Sequence, residues 1–282
     1  MKMMQSRVET KLPWESNTKR QLGNQVVRIG AVSYLNSKPL IYGLSDSLCG
    51  LGALSLAVPS QLAMELNSNS IDIGLIPVVE YFQNPEFRIV SDAAIACRGP
   101  VWSVRIFFRC DPSQVKTLAL DEGSRTSAAL SKVLFHERFG FVPKTIPLPM
   151  TADPMNVNAD AVLVIGDRAM HPENFRASFC SDWDLGQEWF AETGLPFVFA
   201  VWVARNSEFA TEDLKCKLEQ TRDEGIENIR KIALTASSDY RLTPDQCEDY
   251  LTNYIRFFLR KDELAGLDEF RRRCLALGLI SF

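Results

Sequence analysis

Histidine is nearly missing from the 282-residue sequence: only His136 and His171 occur. A multi-histidine metal centre is therefore not expected, and carboxylates are the only plentiful ligands left. No metal and no cofactor are expected. The seven cysteines are odd in number, lie far apart and include no CxxC pair, which argues against a disulfide framework or a zinc ribbon. They read as reduced, mostly buried thiols. An excess of positive charge is lacking too. Lys+Arg 31 against Asp+Glu 35 gives a net charge of -4, without the basic footprint of a DNA or RNA binder. No stretch approaches the ~20 apolar residues that span a bilayer. The first 25 residues are polar, with no apolar leader core, and no cysteine precedes Cys49 to carry a lipid. A cytoplasmic protein is expected, with neither nucleic-acid nor membrane partner and with residues 1–25 as a polar tail or arm.

What is present is an alternation of short apolar runs with helical patterns. From Val26 the runs "VVRIGAV", "LSLAV" and "IDIGLIP" alternate with "SKPLIYGLSD" and "PSQLAMELNSNS", the rhythm of crossovers over a mostly parallel sheet. Pro59 stands just inside a helix start, with Leu62, Met64 and Leu66 for packing. A second copy begins at "VKTLALDEGSRTSAALSKVLFHERFG" and continues to "ADAVLVIGDRAM". The chain is long enough for two lobes. The first is expected over 26–108, the second over 109–202, and the helical segment 203–282 returns to cover the first. "PVWSVRIFFRC" (100–110) and "LPFVFAVWVARN" (195–206) are expected to pair as a two-strand hinge. Thr243 before Pro244 is a good helix start, and "RRR" at 271–273 reads as a solvated helix face.

Strand-to-helix turns at the carboxyl ends of such a sheet are where ligands bind, because helix N-termini offer free N–H groups and partial positive charge. In "SYLNSKPL", Ser33, Tyr34, Asn36, Ser37 and Lys38 leave the first strand together. Asn36 and Ser37 fit the N-cap, satisfying donors that the helix itself cannot, and Asn36 reads either as that cap or as a ligand contact. Lys38 reads as solvent-facing. In "DEGSRTSAAL", Ser124, Thr126 and Ser127 line up hydroxyls and amides suited to a carboxylate, or form an ordinary Ser/Thr cap. Arg125 either clamps the anion or tethers the turn to a neighbouring Asp. "VIGDRAM" offers Gly166 for close backbone approach and Asp167 as N-cap or carboxylate catalyst. Glu80 reads as a cap or structural ion pair, or as a general base if its pKa is shifted, and Ser103, facing the other way from Trp102 in an apolar hinge, as a satisfied backbone partner or a catalyst.

Six blocks, "SYLNSKPL", "DIGLIPVVEY", "GPVWSVRIFF", "LALDEGSRTSAAL", "ADAVLVIGDRAM" and "DLGQEWFAETGLPFVFAVW", resemble in the same order the segments of the chorismate dehydratase family of the futalosine route to menaquinone. The resemblance runs from about Val26 to Leu279. It implies an α/β, two-lobe periplasmic-binding-protein-like (type II) fold with mixed sheets, working in the cytoplasm, and a reaction that turns chorismate into 3-(1-carboxyvinyloxy)benzoate and water. A sister enzyme on the same scaffold makes 1,4-dihydroxy-6-naphthoate and typically has an "SPCPNDTF"-like first turn, so "SYLNSKPL" favours the dehydratase. On that resemblance Asn36 and Ser103 are the expected catalytic pair. Ser124, Thr126 and Ser127 form a carboxylate clamp, and Ser33, Ser37, Arg125 and Asp167 are further substrate contacts. The proton acceptor stays open between the substrate's own carboxylate and a water. The rival readings are a non-catalytic small-carboxylate receptor and the sister synthase.

Overall fold

The computed structural model describes residues 26–48 and 52–281; the expected tail over 1–25 lies outside the described residues. The chain divides its strands between two mixed sheets. The first holds β1 (Val27–Val32), β2 (Gly52–Ala57), β3 (Ile73–Pro77), β4 (Arg88–Cys97), β10 (Phe197–Ala204) and β11 (Arg256–Phe258), in the order β11-β4-β10-β3-β1-β2. The second holds β5 (Val104–Phe108), β6 (Thr117–Asp121), β7 (Lys144–Leu148), β8 (Ala161–Ile165) and β9 (Ser181–Asp184), in the order β7-β6-β8-β5-β9. β1 runs parallel to β2 and β3, and β6 parallel to β7 and β8. β10 is antiparallel to β3 and β4, and β5 to β8 and β9. "IGLIP" of β3 and "AVLVI" of β8 are buried throughout, as expected of central strands covered on both faces.

The helices are α1 (Leu44–Ser47), α2 (Pro59–Asn67), α3 (Val78–Gln83), α4 (Arg125–Phe139), α5 (Leu185–Thr193), α6 (Glu212–Glu227), α7 (Ile229–Ala236), α8 (Pro244–Asp249) and α9 (Lys261–Ala276). α2 starts on Pro59 and buries Leu62 and Leu66, but Met64, expected in the core, is 54% exposed. Two residues from Leu62 it lies on the opposite helix face. α8 starts with the capping box of Thr243 and Gln246. After β10 the chain does return to the first lobe. α6 packs on β4 and α9 on β10, and α9 also meets α4 of the second lobe. Gly225 lets α6 lie directly on the turn after β1, where a methyl group would overlap the Pro39 carbonyl. Arg271 and Arg272 face solvent as expected of the arginine run, while Arg273 is turned inward onto Glu269.

The expected lobe limits need correction. β5 was expected at the end of the first lobe and belongs to the second sheet, and most of β10 falls before 203 yet belongs to the first. The two segments expected to pair as a hinge do not pair with each other. On leaving the first sheet β4 lies beside β10, with Cys97 opposite Phe197, and on joining the second β5 lies beside β9, with Arg105 opposite Asp184. The two crossings therefore run through residues 98–103 and through α5 with its flanks. Hydrophobicity marked these stretches as strands but says nothing about which strand accepts them. Of the described cysteines, Cys97, Cys247 and Cys274 are buried, Cys110 is half-buried, and Cys180 and Cys216 are exposed, so burial is less general than expected. Among the described residues no helix is long and apolar enough to cross a membrane.

Candidate functional site

The carboxyl ends of β1 and β3 in one lobe meet the starts of β5 and α4 and the end of β8 in the other. Between them lies a narrow cleft with about 50 Å³ of free space, well under the volume of a small-molecule site, so a ring-sized ligand enters only if the lobes part. Its walls include Val32, Ile95, Val104, Ile165 and Phe199, and its polar groups come from Tyr34, Asn36, Ser103, Ser124 and Ser127. Among the described lining residues none carries a formal charge.

β1 ends in a 3₁₀ helix over Leu35–Ile41 whose N-cap position is Tyr34, with no side-chain cap. The expected cap by Asn36 is not formed. Ser37 instead turns back and donates to the carbonyls of Val32 and Tyr34, the latter at 2.7 Å, and is fully buried. That frees Asn36. Its Oδ1 is buried with no hydrogen-bond partner, a state that costs about 1–3 kcal/mol unless a ligand or solvent supplies a donor. Ser33 offers its carbonyl to the Tyr240 hydroxyl at 3.0 Å. Neither Ser33 nor Ser37 lines the cleft, because both are spent on holding the turn.

Ser103 sits at the first crossing and is 1% exposed. Its amide donates to the Val101 carbonyl at 2.7 Å and its carbonyl accepts from Gly166 at 2.8 Å. Its Oγ accepts from the Tyr250 hydroxyl at 2.8 Å. Burial pushes the Tyr250 pKa well above the usual phenol value, with Ser103 and Asn36 pulling against it, so the Asn36 side chain lies beside the same hydroxyl. Trp102 faces away from the cleft toward Tyr250 and Tyr254. Asp184, missed in the sequence, ties the two crossings: it accepts from the amides of Val101 at 2.9 Å and Trp102 at 2.7 Å, and caps α5 through Gly186 and Gln187.

Ser124 is the N-cap of α4. Its Oγ accepts from the Ser127 amide at 3.2 Å and donates to the Ser127 hydroxyl at 2.8 Å. The amides of Arg125 and Thr126, in the first turn, have no acceptor within the helix. Two residues expected here as ligand contacts are engaged across the lobes instead. Arg125 pairs with the buried Glu80 of α3 at 2.8 Å, and the Thr126 hydroxyl accepts from the Val79 amide at 3.4 Å. Glu80 is thus the ion-pair partner that one of its readings proposed.

Asp167 does not cap the 3₁₀ helix Gly166–Met170, whose N-cap is Ile165. It lines an adjoining cleft with Arg168, His171 and Tyr240. Burial raises its pKa, opposed by His171. Gly166 takes φ +63°, so glycine serves the left-handed turn; a Cβ there would meet the Tyr34 ring at an ordinary contact distance of 3.5 Å, so the expected close backbone approach does not call for glycine. The Tyr34 pKa is raised by burial and by Asp121 and Asp167. Of nine expected site residues the cleft brings together Asn36, Ser103, Ser124 and Ser127. Tyr34 was seen in the sequence only as part of a polar run, and Tyr250 carried no local signal.

A sequence model of a family described as menaquinone biosynthesis matches residues 27–276. Chorismate dehydratase of Thermus thermophilus is 30% identical over 266 residues, covering 89% of this chain and 95% of that protein. A solved protein from Archaeoglobus fulgidus superposes with a TM-score of 0.70 at 14% identity, over 90% of this chain and 98% of its own. A Candida albicans protein with the generic periplasmic-binding-protein fold gives 0.64 at 12% identity, over 92% of each chain. The alkanesulfonate-binding protein of Xanthomonas axonopodis pv. citri, bound to MOPS, gives 0.62 at 14% identity, over 91% of this chain and 94% of its own. At such identities the likeness establishes the two-lobe binding-protein fold and nothing about ligand.

Proposed function

The chain belongs to the menaquinone biosynthesis family, and from that premise we infer that it is a chorismate dehydratase, a hydro-lyase forming 3-(1-carboxyvinyloxy)benzoate in the futalosine route, in the cytoplasm. In this elimination a ring C–H bond and the neighbouring C–OH bond break. The C–H electron pair becomes ring π density, the C–O pair leaves with oxygen, and proton and hydroxide depart as one water. No oxidant is needed, and aromatisation supplies the driving force. The enzyme has to hold a dianion, orient its ring and keep bulk water out.

The observation that carries this reading is the buried, unpartnered Asn36 Oδ1 in an uncharged cleft that also holds Ser103. Asn36 and Ser103 act on the departing hydroxyl and the charge that develops beside it. Ser124, Ser127 and the free amides at the start of α4 receive one carboxylate, using the partial positive charge of the helix end in place of a cation. With no carboxylate, imidazole or amine among the described lining residues, the ring proton goes to the substrate's own carboxylate or to a bound water. Incubation of the purified protein with chorismate, followed by mass analysis, tests this. The enolpyruvyl benzoate should accumulate, and correctly folded protein that makes none would move the reading to a carboxylate receptor.

A further inference from the structure

We propose that Tyr250 is a positioning residue of this site: its hydroxyl fixes the orientation of the Ser103 hydroxyl, so that the serine proton faces the ligand. The inference rests on the dehydratase reading and adds to it a residue from the far end of the chain.

Tyr250 is 1% exposed and opens a π-helical turn, Tyr250–Tyr254, at the end of α8. The Ile255 amide reaches back to the Tyr250 carbonyl at 3.2 Å to close it. Such turns are rare and concentrate at functional sites. On the other side of the ring stands Trp102, edge-on at 5.8 Å, with φ +63°, a conformation that a bulky residue adopts only when its surroundings hold it there. Asp184 does so by accepting the Trp102 amide. Two unusual backbone features, on different elements, thus bracket one hydroxyl. That hydroxyl donates to Ser103 Oγ. A serine oxygen that accepts still has its own proton to give, and the backbone groups of Ser103 are already engaged with Val101 and Gly166. The serine proton is therefore left for the cleft that Ser103 lines. A fixed neighbour removes the rotational freedom of a lone serine and leaves a preoriented donor, which is worth most in a site that excludes water.

Tyr250→Phe keeps the ring against Trp102 and deletes only the hydroxyl. The expected result is a fall of about tenfold in kcat with KM changed by less than about twofold, because the loss falls on the transition state and not on substrate binding. In a Ser103→Ala background the same change should add less than about twofold, since the group it orients is gone. Wild-type kcat in Tyr250→Phe, or losses that multiply in the double variant, would overturn the proposal. Should the single variant fold poorly with Ser103 left unpaired, the double variant, which removes both partners, decides against Ser103→Ala alone: equal rates support the proposal and a further tenfold loss overturns it. Wild-type protein that forms no product would remove the dehydratase reading and this inference together. Active wild type with an indifferent Tyr250→Phe would overturn this inference alone.

Discussion

The proposed function asks Asn36 and Ser103 each to favour a transition state without a formal charge. Asn36→Ala and Ser103→Ala should each lower kcat by at least about tenfold, roughly 1.4 kcal/mol of barrier. Asn36→Ala should do so without lowering the melting temperature, because it deletes a buried oxygen that has no partner in the folded chain. A stabilised but slow variant is the signature of a residue kept for function; an unchanged rate would remove the assignment. Asp167 makes the opposite case. Its raised pKa means that the charged form returns only as pH climbs through that raised value, and its field reaches Tyr34 at the cleft and the buried Tyr250 behind it. A dianion should bind less well above that pH. Asp167→Asn is expected to lower KM about twofold at neutral pH and to flatten its pH dependence; a raised KM in steady-state kinetics would restore Asp167 as a direct contact. At this scale the sequence was legible at Ser124, which caps its own helix, but not at Asn36 and Asp167, whose expected caps are not formed. It was silent on Tyr250, whose neighbour in space is 147 residues away in the chain.

Elements decide whether those side chains meet. The turn after β1 is held from beneath by Ser37 and from above by α6, with Gly225 at the point of contact. Gly225→Ala would force α6 away from Pro39, at a cost of about 1–3 kcal/mol, and shift the turn that carries Asn36. A melting temperature several degrees lower together with a reduced kcat is expected; an unaffected enzyme would show that the turn does not depend on α6. Strand and helix segments were readable because their apolar period is local. The exchange of β5 and β10 between sheets was not, since two equally apolar strands differ only in their neighbours. Nor was the knot at Asp184, where one carboxylate joins residues 101 and 102 to the start of α5.

At the scale of the whole molecule the two lobes face each other across a cleft with no charged group among its described lining residues, and the proposed elimination calls for them to close over the substrate. The Arg125–Glu80 pair and the contact of Thr126 with Val79 bridge the lobes beside that cleft. Arg125 is half exposed while Glu80 is buried, so the pair opens toward solvent on the arginine side only and its opening leaves the Glu80 carboxylate unpaired. Arg125→Ala should lower the melting temperature, because it leaves the buried Glu80 unpaired, and enlarge the ligand-free protein relative to its product-bound form in small-angle scattering; identical dimensions in the two states would contradict a closing motion. The two-lobe plan was legible from the repeated strand-helix rhythm and from six ordered blocks. The cleft itself required the lobes to be set face to face.

The most direct measurement is a crystal structure with 3-(1-carboxyvinyloxy)benzoate bound. The expected result places the ring between Asn36 and Ser103 with one carboxylate on the first turn of α4. The ligand seated elsewhere, or held by an arginine or lysine that moves into the cleft, would contradict recognition of the dianion by neutral donors.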